Sequence, residues 1–244
     1  MADSKEAQFQ QDIIAAMTAQ GWLTGPASGY DRRTALYTED FLGYFKDAWP
    51  ERWDKFAKAN PNKPEEVLVQ KLVRELEQDG TLDVLRHGFK LPGVKIEACS
   101  FKPDHGMNPD TLKRYQCNRL RVVPEVSYSP HALETKSREG EYNPRLDLVL
   151  FVNGIPFAVI ECKSPNTEVA QAVSQMIRNQ RDEYIPALFT YAQLVIGSNK
   201  NHCKYATVGT AAKYWAVWRE EREEKDEDGA ALRSVLDQPL PQEA

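Results

Sequence analysis

Residues 145–163 read Arg-Leu-Asp-Leu-Val-Leu-Phe-Val-Asn-Gly-Ile-Pro-Phe-Ala-Val-Ile-Glu-Cys-Lys, and this stretch decides the fold. Leu146 to Val152 and Ile155 to Lys163 are two apolar, β-prone runs, joined by Asn153-Gly154, a dipeptide that accepts positive φ at both positions. The reading is a β-hairpin with a two-residue type I′ turn. Side chains alternate across a strand, so Asp147, Val149 and Phe151 share one face of the first strand, while Val159, Glu161 and Lys163 share one face of the second. Glu161 and Lys163 therefore point the same way. If the pairing sets Asp147 alongside Glu161, two carboxylates and an ammonium meet at the open end of an otherwise apolar hairpin, where unpaired charge is costly.

Downstream of the hairpin, Glu168 to Tyr184 has a helical stripe of Val169, Val173, Met176 and Ile177, and Leu188 to Ile196 reads as a further strand. Strand, helix, strand implies a crossover packed on the sheet. Upstream, the period is close to two in Val94 to Phe101 and in Leu120 to Tyr128, so the sheet is expected to begin near Val94. Before that the pattern is helical. Phe41, Tyr44 and Phe45 mark one segment, Trp53 and Phe56 another, and Val67, Leu68, Leu72, Val73 and Leu76 a third, punctuated by Pro50, Pro61 and Pro64. The N-terminal segment Asp3 to Gln20 is a further helix, with Phe9, Ile13 and Met17 at helical spacing, Glu6 on the same stripe and Gly21 ending the pattern. The fold class is thus α/β, with strands and helices in one mixed arrangement.

The chain has 244 residues, 41% of them hydrophobic, enough to bury one sizeable core. Cys99, Cys117, Cys162 and Cys203 lie far apart, with no Cys-x-x-Cys pair and no histidine at ligand spacing, so neither a disulfide framework nor a zinc site is expected. No apolar run approaches the roughly 20 residues needed to span a bilayer, and a cytoplasmic protein is expected. The net charge of −5 argues at first against a nucleic-acid partner. Its position changes that reading. Residues 220–228 hold seven acids and two bases, the whole of the excess, and the rest of the chain is neutral. From Lys113 to Arg145 seven bases face four acids, a mild basic bias that is also what an ordinary solvated surface shows.

Phosphodiester cleavage gives the three charges at the hairpin's end a use. Two carboxylates can hold Mg²⁺ through oxygen ligands, the metal lowering the pKa of a bound water, while Lys163 orients that water or neutralises charge growing on the phosphate. The backbone carbonyl of Cys162 is a third oxygen within reach, its thiol serving as a small buried side chain. Each residue alone also fits an ordinary strand end.

The whole segment 145–163 resembles the nuclease motif of the R subunit of type I restriction enzymes, where the same Asp, the Val-Asn-Gly-hydrophobic-Pro turn and Glu-x-Lys occur together. Gln180-Arg-Asp-Glu-Tyr184 is similar to that family's Gln-x-x-x-Tyr motif, and Asn118 to Val123, Pro186 to Leu194, Val208-Gly-Thr210, Trp215 and Trp218 also match its pattern. The resemblance covers roughly residues 80 to 220 and is densest over 118 to 196; residues 22 to 80 match nothing in it. It implies a PD-(D/E)XK restriction-endonuclease-like mixed sheet flanked by helices, with a helical insertion at about 38–80, in one domain over 1–219. Asp147, Glu161 and Lys163 would be catalytic, with Mg²⁺ on Asp147, Glu161 and the Cys162 carbonyl. Residues 220–244 would be an acidic linker towards an ATP-driven motor.

Glu6 corresponds under this resemblance to a first-helix acid brought towards the metal, although Asp3 and Glu6 also have the spacing of a capping box. Gln180 and Tyr184, continuing the stripe of Val173 and Ile177, contact DNA or brace the lysine, or else form a satisfied buried pair. His105, in a Pro-Asp-His-Gly loop, is read as a surface turn residue in preference to a catalytic one. No phosphate-binding Gly-x-x-x-x-Gly-Lys-Ser/Thr loop is present, so ATP would act only in a longer subunit. The implied partners are double-stranded DNA, the specificity and methylation subunits, and the motor domains of the same native chain, with no membrane. Two other readings stay open: a free-standing endonuclease of the same superfamily, such as a modification-dependent one, and a non-catalytic DNA-binding or assembly module of the same fold.

Overall fold

The computed structural model describes residues 4–105, 107–127, 145–181 and 186–219. Helix α1 (Ser4–Ala19) ends at Gly21, whose φ of +91° reverses the chain at little steric cost. A two-residue strand β1 (Leu23–Thr24) follows, and then four helices in succession: α2 (Thr38–Ala48), α3 (Pro50–Ala59), α4 (Pro64–Asp79) and α5 (Thr81–His87). Pro50 and Pro64 open α3 and α4, where proline's missing N–H leaves no bond unmade. In α2, Phe41, Tyr44, Phe45 and Ala48 recur at helical spacing and are all buried, as are Leu68, Leu72 and Leu76 in α4. The helical segment expected at 38–80 is present and runs on to His87.

The strand expected over Val94 to Phe101 is much shorter and does not join the main sheet. Strand β2 (Phe89–Leu91) pairs with β3 (Val94–Ile96) in a hairpin of its own, and Phe101 is 60% exposed. After Ile96 the backbone bonds to side chains: Ala98 and Ser100 carbonyls accept from the amides of Asn153 and Asn118. Helix α6 (Pro109–Gln116) is capped by Asn108, whose side chain accepts from the N–H groups of Asp110 and Thr111.

The main sheet adds β4 (Leu120–Ser127), β5 (Arg145–Val152), β6 (Ile155–Cys162), β7 (Leu194–Ser198), β8 (Cys203–Thr207) and β9 (Ala216–Val217), in the spatial order β1-β4-β5-β6-β7-β8-β9. β1–β4 and β6–β7 are parallel and the other neighbours antiparallel, so the sheet is mixed. Helices α7 (Val169–Asn179) and α8 (Pro186–Tyr191) lie in the crossover from β6 to β7. Two sequence expectations fail here. Helix α7 stops at Asn179, so Gln180 caps it and does not continue its stripe. Leu188 to Tyr191 are helical and not strand, since an apolar run alone does not separate a buried short helix from a strand.

Both faces of the sheet are covered. On one, Phe9, Ile13, Ile14 and Met17 of α1 pack on Val122, Leu148, Ile160 and Cys162. On the other, Val123, Val149, Phe151, Val159 and Val195 join Phe41, Tyr44 and Leu68 of the helical segment and Val173 and Met176 of α7 in the larger core. This arrangement of a mixed sheet between helices is consistent with a PD-(D/E)XK-like nuclease fold.

Candidate active site

The β5–β6 hairpin is the centre of the sheet, and its turn is the one its sequence demands. Asn153 and Gly154 have φ of 47° and 76°, both positive as a type I′ turn requires, and Val152 pairs with Ile155 across it. The register slips by one between Leu150 and Phe151, leaving Phe157 as an extra residue on β6; beyond it Leu148 pairs with Ile160 and Val149 with Val159. Continuing that register sets Asp147 opposite Glu161. The parallel pairing with β7 places Gly197 beside Glu161, and a Cβ on that glycine would come within 3.1 Å of Ala172. The bare glycine thus lets α7 close over the strand and bury the acid.

The side chains converge, because the bulge at Phe157 supplies the register in which Asp147 and Glu161 share a face. The Cys162 N–H donates to Asp147 Oδ2 at 2.7 Å, and Lys163 Nζ donates to Glu161 Oε1 at 2.6 Å and to the Cys162 carbonyl at 3.0 Å. Glu161 is fully buried and Asp147 is 6% exposed. Glu161 Oε2 is buried and has no hydrogen-bond partner among the described residues. Helix α1 adds a third acid: Glu6 Oε1 lies 3.9 Å from Lys163 Nζ. The reading of Glu6 as a residue drawn towards the site accords with that position, while its capping-box alternative rests on Asp3, outside the described residues.

Electrostatics follow from this burial. Desolvation pushes the Glu161 carboxyl up to about 8, helped by the neighbouring Asp147 charge and opposed by Lys163. Desolvation likewise lifts Asp147, to about 6, against the Cys162 N–H and Lys163. Burial works against the Lys163 ammonium, but Glu161, Asp147 and Glu6 outweigh it and hold its pKa above the ordinary value. The Cys162 thiol is raised by burial first and then by the adjacent carboxylates, so it remains a neutral packing group. When both carboxyls are ionised they outnumber the ammonium in a dry environment, so the site favours either protons or a cation.

The donors suit a hard divalent cation. They are all oxygens: two carboxylates, one with an unpartnered buried oxygen, and a main-chain carbonyl. Among the described residues no three His, Cys, Asp or Glu side chains are arranged to hold a metal, so Glu6 does not complete a three-acid cluster with Asp147 and Glu161. Two carboxylates with a carbonyl and waters are sufficient for Mg²⁺, which keeps much of its hydration.

Several supporting residues carried no signal in the hairpin sequence. The Lys163 N–H donates to the Ser198 carbonyl, extending the β6–β7 pairing to the lysine itself. Buried Asn199 donates to the Thr167 carbonyl and accepts from the N–H groups of Asn201 and His202, tying the loop after Lys163 to the turn after β7. The Ser-Asn-Lys-Asn run at 198–201 is the turn chemistry that could have flagged it. Glu125, at φ 58°, interrupts the β4 ladder opposite Asp147, pairs with Arg145 and adds to the negative field at Asp147. Gln180 sits elsewhere than its expected stripe: its Oε1 accepts from the Gly209 N–H at 2.7 Å and its Nε2 donates to the Met176 carbonyl at 3.1 Å. Tyr184 lies outside the described residues, and His105 is exposed in its loop.

Comparison with known proteins decides the family. Residues 4–214 match the model of the type I restriction enzyme R protein N terminus. The chain belongs to this family. A Methanocaldococcus jannaschii protein named as the endonuclease subunit of type I restriction enzyme MjaIXP is 37% identical over 138 residues, 56% of this chain and 12% of its own length. The Staphylococcus saprophyticus type I restriction enzyme SsaAORF53P endonuclease subunit is 33% identical over 93 residues, 38% of this chain and 9% of the relative. The Escherichia coli type I restriction enzyme EcoprrI endonuclease subunit is 19% identical over 204 residues, 82% of this chain and 58% of the relative. The chain therefore spans only a part of each of these R-type relatives. None of its described helices is long and apolar enough to cross a membrane.

Proposed function

We propose that this R-subunit N-terminal domain is a Mg²⁺-dependent DNA endonuclease of the PD-(D/E)XK type, the cleavage module of a type I restriction enzyme. The observation that carries the reading is the convergence of Asp147, Glu161 and Lys163 at the open end of a buried hairpin, with Glu161 Oε2 buried and unpartnered. Membership of the R-subunit family supports a nuclease role in restriction.

In this mechanism Asp147, Glu161 and the Cys162 carbonyl would hold the cation, which would supply Lewis acidity to the scissile phosphate and acidify a water. Asp147 is kept in place by the Cys162 N–H, so its free oxygen is aimed without rotamer search. Lys163 now bonds two of the oxygens assigned to the cation. With a cation held there, the Lys163 ammonium would serve the attacking water or the phosphate instead, and Glu6 Oε1, 3.9 Å from Nζ, would remain a nearby acid for it. The covering α7 and α1 exclude bulk water, which strengthens each of these interactions.

Double-stranded DNA is the substrate, and the specificity and methylation subunits and the motor domains of a longer native chain are the partners; ATP is used by that motor and not by these residues. Supercoiled plasmid incubated with the domain and Mg²⁺ or Mn²⁺ tests the assignment. The wild type is expected to nick or linearise it, with Asp147→Ala and Lys163→Ala each slowed by about a hundredfold or more. Equal activity in all three would show that the wrong residues were chosen.

A further inference from the structure

Beside Lys163 lies an open cleft of about 500 Å³ whose other lining residues all come from α7: Ala170, Gln171, Ser174, Gln175 and Arg178. Building on the nuclease reading above, we propose that this side of α7 is the seat of the DNA backbone next to the scissile phosphate, with Gln171, Ser174, Gln175 and Arg178 as its phosphate-contacting residues. The opposite side of the helix explains why Gln171, Ser174 and Gln175 line the cleft. Ala172, Val173 and Met176 are buried towards the sheet, leaving Gln171 and Ser174 exposed and Gln175 and Arg178 half-buried.

The lining chemistry singles the cleft out. It offers two amides, a hydroxyl, a guanidinium and the Lys163 ammonium, and no carboxylate. Three other clefts of the molecule each carry acids: Asp47, Glu51 and Asp110 in one, Asp31, Glu65 and Glu66 in a second, Asp12 in a third. Phosphate oxygens accept from amide, hydroxyl and guanidinium groups and are repelled by carboxylates, so only an acid-free lining suits a DNA backbone. Helix α7, Val-Ala-Gln-Ala-Val-Ser-Gln-Met-Ile-Arg-Asn, contains no acid at all in a chain with 36 of them; Glu168 stands just before it and outside the lining. From Gln171 to Arg178 the helix rises about 10 Å, at roughly 1.5 Å per residue. Along the duplex axis, where each strand carries one phosphate about every 3.4 Å, that spans about three base-pair steps.

The test is fluorescence anisotropy of a labelled 20-base-pair duplex with the full 244-residue chain, without Mg²⁺ and across a salt series. Gln171→Glu with Gln175→Glu is expected to weaken binding by about tenfold, and Gln171→Lys with Gln175→Lys to tighten it and steepen the salt dependence by about two units. Gln70→Glu, at an exposed position of α4, should bind within about twofold of wild type. A purely structural role for these two glutamines would not give opposite effects for opposite charges. Glu and Lys pairs that both bind as wild type, or a wild type with no affinity for the duplex, would overturn the proposal. Mn²⁺-dependent melting shifts measured on the same proteins keep the two readings apart. Shifts abolished by Asp147→Ala but DNA affinity indifferent to the α7 pairs would sink the groove and leave the nuclease site standing.

Discussion

The two ends of the β5–β6 hairpin are built from opposite chemistry. At the turn, Asn153 is fully buried and its amide is fully used: Oδ1 accepts from the Arg119 N–H at 2.6 Å, and Nδ2 donates to the Ala98 carbonyl and to Asn118 Oδ1, each at 2.9 Å. The Tyr37 N–H donates to the Gly154 carbonyl, locking the turn to the start of α2. At the open end Glu161 is buried as deeply, yet among the described residues one of its oxygens has no partner, and it sits beside a second acid. A saturated buried polar group holds a fold in one arrangement, whereas a buried deficit of positive charge raises energy until something cationic arrives. The contrast separates what the hairpin needs in order to fold from what it keeps for chemistry.

The largest expected effect comes from breaking the saturated end. Asn153→Ala strands the buried Ala98 carbonyl and the half-buried Arg119 N–H, takes one donor from Asn118 Oδ1 and places alanine at positive φ, and should cost about 3 to 4 kcal/mol in urea unfolding. A loss below about 1 kcal/mol would mean that the turn is not the anchor described here.

The same kind of change at the other end should have the opposite sign. Folding raises the Glu161 carboxyl from its ordinary range to about 8 and Asp147 to about 6, so the folded state holds protons that the unfolded chain has released. Stability without metal must therefore fall as pH rises from about 4 to 8, through the Asp147 window first and the Glu161 window after it. Glu161→Gln removes the second part, and at pH 8 without metal it should be more stable than wild type by on the order of 2 kcal/mol, the gain vanishing near pH 4. A destabilised variant at pH 8 would put Glu161 on the structural side of the comparison.

The smallest effect is expected at Gln180, which belongs with the saturated groups. Gln180→Ala loses the bond from the Gly209 N–H and should cost about 1 kcal/mol in thermal unfolding, with the metal-dependent melting shift unchanged. A lost metal response would instead return Gln180 to the site.

How much of this could be read beforehand depended on whether the information was local. The hairpin was legible because alternation and Asn-Gly are short-range signals, and alternation put Glu161 and Lys163 on one face; Asp147 comes opposite Glu161 through the register shift at Phe157, which alternation does not show. The helical character of 38–80 was legible from the spacing of Phe41, Tyr44 and Phe45. The approach of Glu6 to Lys163 depends on how α1 packs across the sheet, and here resemblance suggested what spacing could not decide. Leu188 to Tyr191 misled because an apolar run bounded by proline suits either a strand or a buried helical turn, and tertiary packing chose. Gln180 misled because helical spacing was extended past the point where the helix ends. The Asn199 support was missed since its partners, Thr167 and His202, come from two loops.

The central claim, that the unsaturated end of the hairpin is a cation site, is tested most directly by melting temperature against Mg²⁺ or Mn²⁺ concentration at pH 8 for the wild type and Glu161→Gln. Wild-type protein should gain several degrees as millimolar metal binds the folded state, while Glu161→Gln, already more stable without metal, should gain little or nothing. A wild type that does not respond to either cation, or a variant that responds equally, would contradict the account.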